Sequence, residues 1–328
     1  DMRNAFADEL VKVAAEDERV VMLSADIGNR LFDPYKERFS ERFFNCGVAE
    51  ANTIGVAAGL AMNGLRPIAY TIAPFITYRC YEQIRVDVCY HNQPVIIVGV
   101  GAGLSYANLG PTHHSCEDIA ALRALPNMTV LCPADPCETR LALRAALEHS
   151  GPVYIRLGKK GEPLVHESTP RFEIGKPILM GEGSDICILS NGTILPNAVD
   201  AAELLEEAGI SSSVYSYHTV KPLNTAFLDT VFTKYKLVVT LEEHSTLGGV
   251  GSSVAEWLSS RVQNHSRLLM LGTPDAFIHE IGSQTYTRNL IGLDPHSIVA
   301  KIHAAWKSIE NDLDPITSES FEGTGSHV

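Results

Sequence analysis

The sequence contains no CxxC pair, no block of Lys and Arg, and no long uncharged apolar run. Seven cysteines, an odd number and scattered, exclude a disulfide framework or a paired-cysteine zinc site and fit reduced thiols in a cytoplasm. A formal net charge of −13 without a basic cluster excludes general nucleic-acid binding, because phosphate contacts need grouped cations. Without a long apolar run, no segment is expected to span a membrane. The start of the chain lacks a charged-then-apolar signal pattern, and Asp1 ahead of Met2 reads as an appended residue, so the expected location is cytoplasmic.

What is present is an ordinary globular composition, 45% hydrophobic and 20% charged, in 328 residues, more than a single core usually organises. Two α/β domains are expected, each a mostly parallel sheet flanked by helices. The first, residues 1–160, alternates helix 3–17, strands at 20–28, 43–47 and 66–75, a helix over 74–92, a buried strand from Pro94 into a Gly-rich loop, a helix N-capped by Ser115, strand 128–135, helix 136–149 and strand 153–157. Polar residues and prolines at 161–182 read as a linker, and a second alternating unit occupies 183–308. Residues 309–328, acidic and rich in Gly and Ser, are expected to be a disordered tail.

The organising stretch runs from Asn45 to Gly64. A polar turn leads into small and apolar residues headed by a single carboxylate, Glu50. Helix N-termini favour acids by about 0.3–1 kcal/mol, which alone explains a Glu there. Gly55 and Gly59, each costing about 1 kcal/mol against Ala in a helix, point further, to close approach of another backbone and a buried acid that meets a ring nitrogen. Other groups have plainer readings: Cys46 as a small hydrophobe, Asp26 as a cap for the next turn, Glu82 as an ion-pair partner of Arg85 or Arg79. Glu242 and Glu243, adjacent on one strand, point to opposite faces and do not form a metal site. The GGVGS run at 248–252 reads as a Gly turn with Ser N-caps in preference to an anion cradle.

The Glu50 helix resembles the cofactor helix of the transketolase family, in the pyrimidine-binding domain shared with deoxyxylulose-phosphate synthases and the β-subunits of 2-oxo-acid dehydrogenases. Gly110-Pro111-Thr112-His113 is similar to the family's GPTH motif, and residues 218–224 and 241–258 resemble its C-terminal domain. The resemblance implies thiamine diphosphate as cofactor, with Glu50 bonding N1′ of its aminopyrimidine so that the 4′-amino group can deprotonate the thiazolium carbon. It implies that Phe75 stacks on that ring, with Tyr78, Arg79 and Tyr81 in the cofactor pocket, although aromatics at this helical spacing are commonly core and Tyr81 reads so at least as well. It gives His113 contact with substrate oxygens and proton transfer, with His114 beside it. Arg156, ahead of Lys159 and Lys160, falls where the family places an Arg for the substrate phosphate.

Two departures matter. The family's diphosphate motif, GDG followed by Asn, is missing: Gly181-Glu182-Gly183 carries Glu in place of Asp, and Asp185 runs straight into a strand. No metal ligands are therefore assigned to this chain. It is expected to be the second subunit of a split transketolase, with the diphosphate and Mg²⁺ held by a separate N-terminal chain and an α2β2 assembly that includes contact between its own copies. Where the family has a His and an Asp for ketose hydroxyls, this sequence has Gly101 and Leu109, which suggests an unusual, modified sugar. The expected reaction is transfer of a two-carbon ketol unit from a ketose to an aldehyde or keto-sugar. The alternatives are a decarboxylating β-subunit of a 2-oxo-acid dehydrogenase and a catalytically silent scaffold.

Overall fold

The computed structural model describes residues 1–261 and 266–313. Twelve strands form two sheets: β1 (Val20–Ser24), β2 (Phe43–Asn45), β3 (Arg66–Ile72), β4 (Ile96–Val100), β5 (Thr129–Leu131), β6 (Val153–Leu157), β7 (Ile178–Gly181), β8 (Ile186–Asn191), β9 (Ser212–Ser216), β10 (Thr219–Lys221), β11 (Leu237–Ser245) and β12 (Arg267–Thr273). The first sheet has the order β10-β5-β6-β4-β3-β1-β2 and the second β12-β11-β8-β9-β7. Both are parallel except at one edge, where β10 and β7 run antiparallel. Every residue of β1, β4, β6 and β8 is buried, the continuous apolar pattern of strands covered by helices on both faces.

The two edge strands depart from the sequence reading. β7 lies within the stretch expected to be linker (161–182) and pairs with β9, so the chain enters the second sheet at Ile178. β10, from the second alternating unit, pairs with β5 of the first sheet, Thr219 opposite Leu131. One hydrophobic core accordingly runs through both halves, joining Ile54, Ile97 and Tyr154 to Leu189, Phe232 and Trp257. Lys221 fastens the same seam by donating to the carbonyls of Arg123 and Leu125.

The helix expected over 74–92 is broken into Ala73–Thr77, Tyr81–Gln83 and a π-helical Ile84–Tyr90. Ser115 caps nothing: the next helix is Asp118–Arg123, with Glu117 at its N-cap and no side-chain capping bond. The last helix, Pro295–Leu313, runs past the expected start of the tail at 309, and the disorder expected beyond it concerns residues outside the described ones. Among the described residues, no helix is long and apolar enough to cross a membrane.

Candidate active site

A parallel sheet collects the carboxyl ends of its strands along one edge, so loops far apart in sequence meet there. Asn45 ends β2 and bonds its own turn, accepting from the N–H groups of Asp26 and Gly47. Asp26 is no cap for the next turn; its carboxylate accepts from Asn45 Nδ2 at 3.0 Å, clasping the ends of β1 and β2. Gly47, at φ 71°, supplies the left-handed step that turns the chain into the helix Glu50–Met62. Glu50 is thus placed at that helix's N-terminus, 5% exposed. A Cβ added at Gly55 or Gly59 would meet nothing within 4 Å, so among the described residues no backbone outside the helix approaches that face, which instead stays open beside the exposed Val56 and Met62.

β3 ends at Ile72 and delivers Phe75, Tyr78 and Arg79; β4 ends at Val100 and its loop delivers His113. The rings of Phe75 and His113 lie 5.2 Å apart, edge to face. Arg79 Nη1 donates to Glu50 Oε1 at 3.1 Å while its guanidinium lies 4.0 Å over the Phe75 ring. His113 Nδ1 is 2.9 Å from Thr112 Oγ1. Partial burial, with the positive charges of Arg79 and Lys159, pulls the His113 pKa below its usual 6.5, so the ring is neutral and can accept a proton near pH 7. Burial lowers His114 in the same direction.

The structure separates the remaining expected residues. Tyr78 donates to Glu117 at 3.0 Å and, with Thr112, His114 and residues 273–278, lines a cleft of about 600 Å³. Tyr81 has a structural bond: its hydroxyl donates to the Ala121 carbonyl at 3.0 Å and its ring packs on the shared core. Arg156 is not available to a substrate phosphate. It is 2% exposed, its Nε donates to both Asp118 oxygens and its Nη2 to the carbonyls of Ser115 and Glu243.

Besides Arg79, a second cation lies near His113: Lys159, 4.4 Å over the Tyr106 ring, with Nζ donating to Asn108 at 3.3 Å. Tyr106 in turn lies 6.0 Å from His113. Sequence reasoning passed over Tyr106 and ranked Lys159 behind Arg156. The available signal was the run Val153-Tyr154-Ile155-Arg156-Leu157, where an Arg inside an unbroken apolar strand is a buried Arg.

Neither rival cofactor cradle is open. At the GGVGS turn, Glu242 accepts from the N–H groups of Val250 and Gly251 at 2.8 and 2.9 Å, so this carboxylate, and not a serine, caps the helix Val250–Ser259. Glu243 points the other way, to Leu104 N at 2.6 Å and to Arg288. Asp185 accepts from Ser211 N at the start of β8. Among the described residues, no group of three or more His, Cys, Asp or Glu side chains could hold a metal ion.

An acid, an aromatic ring and a histidine at the strand ends of one parallel sheet, with a second sheet behind, define an α/β enzyme fold whose site is built along one edge. Two family models match it: transketolase, pyrimidine binding domain, over residues 1–162, and transketolase, C-terminal domain, over residues 175–298. The chain belongs to the transketolase family.

Its relatives include proteins of similar length. A putative transketolase C-terminal section from Methanocaldococcus jannaschii is 37% identical over 92% of this chain and 95% of its own length. A 6-deoxy-6-sulfo-D-fructose transketolase subunit from Clostridium sp. (strain MSTE9) is 36% identical over 92% of this chain and 93% of its own. A solved structure described as a split gene transketolase, inactive beta4 tetramer, superposes with a TM-score of 0.84 at 37% identity, covering 93% of this chain and 98% of that one.

Proposed function

We propose that this chain is the pyrimidine-binding subunit of a split, thiamine-diphosphate-dependent transketolase that moves a two-carbon ketol unit from a ketose to an aldehyde or keto-sugar acceptor. The observation that carries this reading is that Glu50, Phe75 and His113, 63 positions apart in sequence from first to last, share one sheet edge. Relatives that match over nearly their whole length are named as a transketolase C-terminal section, a transketolase subunit and a split gene transketolase, which disfavours the dehydrogenase and scaffold alternatives.

The residues fit an aminopyrimidine. A nearly buried carboxylate at a helix N-terminus accepts from a ring nitrogen, Phe75 offers a face for stacking worth about 0.5–1.5 kcal/mol, and Tyr78 forms a wall. The sequence has no GDG motif, so the diphosphate and Mg²⁺ are assigned to a separate N-terminal subunit in an α2β2 assembly. The open Gly55 and Gly59 face suits the close backbone approach of another chain.

When bound, the cofactor supplies the nucleophilic carbon and accepts the electron pair released on C–C cleavage. Glu50 orients and activates the pyrimidine. His113, neutral and held through Nδ1, takes a proton from a sugar hydroxyl at Nε2 and returns it to the acceptor oxygen. Lys159 attracts the anionic end of the substrate, the role that burial denies Arg156. Gly101 and Leu109 offer no hydroxyl-reading groups, which favours a modified ketose over xylulose 5-phosphate. The relative named for a sulfo-fructose is consistent with that preference.

The test is reconstitution of this chain with a diphosphate-binding transketolase subunit, thiamine diphosphate and Mg²⁺. Ketol transfer appears only with both chains present, and a modified ketose turns over faster than xylulose 5-phosphate. Release of CO₂ from pyruvate without ketol transfer would replace this reading with the dehydrogenase one.

A further inference from the structure

The guanidinium of Arg79 does two things at once. Its carbon lies over Phe75, 4.0 Å from the ring centroid, and its Nη1 donates to Glu50 at 3.1 Å. A planar, delocalised group thus covers the aromatic ring and is hydrogen-bonded to the acid. An aminopyrimidine that stacks on Phe75 and donates from its ring nitrogen to Glu50 needs those same two partners in the same relation. It must use the face of Phe75 that looks towards Glu50, since from the opposite face the ring itself stands between pyrimidine and carboxylate. That is the face Arg79 covers. Two planar groups cannot share one stacking distance, so one must leave. Arg79 is equipped to leave: its side chain is 51% exposed, whereas that of Glu50 is 6% exposed.

We propose that Arg79 is a displaceable occupant of the pyrimidine position. It competes with the cofactor ring for Phe75 and Glu50 and swings towards solvent when that ring arrives. This rests on the reading of Glu50 and Phe75 given above, and it replaces the expectation that Arg79 is itself a cofactor ligand. The exchange conserves what each partner requires, because one flat hydrogen-bond donor is traded for another. Glu50 and Phe75 therefore keep a polar and a stacking partner throughout, and the site opens without exposing an unpaired buried carboxylate.

The experiment is calorimetric titration of thiamine, which carries the aminopyrimidine without a diphosphate, into the full chain and into Arg79→Ala, Arg79→Met and Glu50→Gln variants. Both Arg79 variants bind thiamine about three- to tenfold more tightly than the parent, the sum expected from removing an exposed ion pair and a cation–π contact. Arg79→Met keeps the aliphatic stem, so agreement between the two variants assigns the effect to the guanidinium. Guanidinium ion at tens of millimolar reverses the gain in Arg79→Ala and changes the parent little. Equal, weaker or undetectable thiamine binding by the Arg79 variants, with binding lost in Glu50→Gln, overturns the proposal and leaves the site reading intact. Binding unchanged in Glu50→Gln overturns the site reading itself.

Discussion

Arg156 and Arg79 each pair with a carboxylate in the first half of the chain, yet one belongs to the seam between the halves and the other to the sheet edge that carries the site. At the seam, the side chains of Arg156 and Asp118 are 1% and 0% exposed, and the carbonyls of Ser115 and Glu243 accept from Arg156 Nη2. At the site, Arg79 is half in solvent and Glu50 retains an oxygen that no other residue claims. A buried charge paired inside the seam is out of a substrate's reach, and removal of its partner leaves it stranded. A buried acid with one mobile partner can exchange that partner for a ligand.

The contrast is sharpest in stability. Asp118→Ala strands a buried guanidinium and should lower unfolding free energy by about 3–5 kcal/mol, measured by urea denaturation. A loss below about 1 kcal/mol would put Arg156 in contact with water and reopen its role as an anion anchor. His113→Ala lies next in size and on the other axis: ketol transfer by the reconstituted enzyme should fall about 10²-fold or more with the urea midpoint unchanged. A parallel fall in stability would move His113 from the site to the scaffold.

A third test concerns the strap between the halves, where His166 Nε2 and Glu138 Oε1 lie 2.7 Å apart and Asp135 accepts from the N–H groups of 165 and 166. The hydrogen bond and charge of Glu138 raise the pKa of His166 above 6.5 against a larger opposing effect of burial, and Glu138 stays below 4.5 with His166 as its foremost stabilising partner. The sign follows from both shifts. The His166 contribution is complete below 6.5 and is lost as pH rises through its raised folded value, while the Glu138 contribution is complete above 4.5 and is lost as pH falls through its lowered one. Stability from this pair therefore peaks between those limits, and His166→Gln should flatten the decline in urea midpoint as pH rises above 6.5. An identical slope in parent and variant would remove the pair from the account. The smallest effect is expected at Arg79→Ala, which should change unfolding free energy by about 0.5 kcal/mol or less, as exposed ion pairs do.

Much of this was legible in the residues. The alternation of apolar runs and helical spacing gives both sheets, and an acid standing alone at the head of a small-residue helix marks Glu50 before any geometry is known. What could not be read has a common physical origin. β7 and β10 are short edge strands of four and three residues, too short to show a period, and both are specified by the neighbours they pair with. The pairing of β10 with β5 crosses the expected domain boundary for that reason. Likewise, the capping of Val250–Ser259 by Glu242 and the clasp of Asp26 on Asn45 depend on contacts across eight or more positions, which local turn chemistry does not encode. Arg156 was the exception, since its apolar strand neighbours already announced burial.

The most direct measurement is the rate of ketol transfer by the Glu50→Gln chain reconstituted with its diphosphate-binding partner. If Glu50 serves the pyrimidine nitrogen, the rate falls about 10²-fold or more while the assembly and its melting temperature stay as they were. A rate equal to that of the parent would contradict the account at its centre.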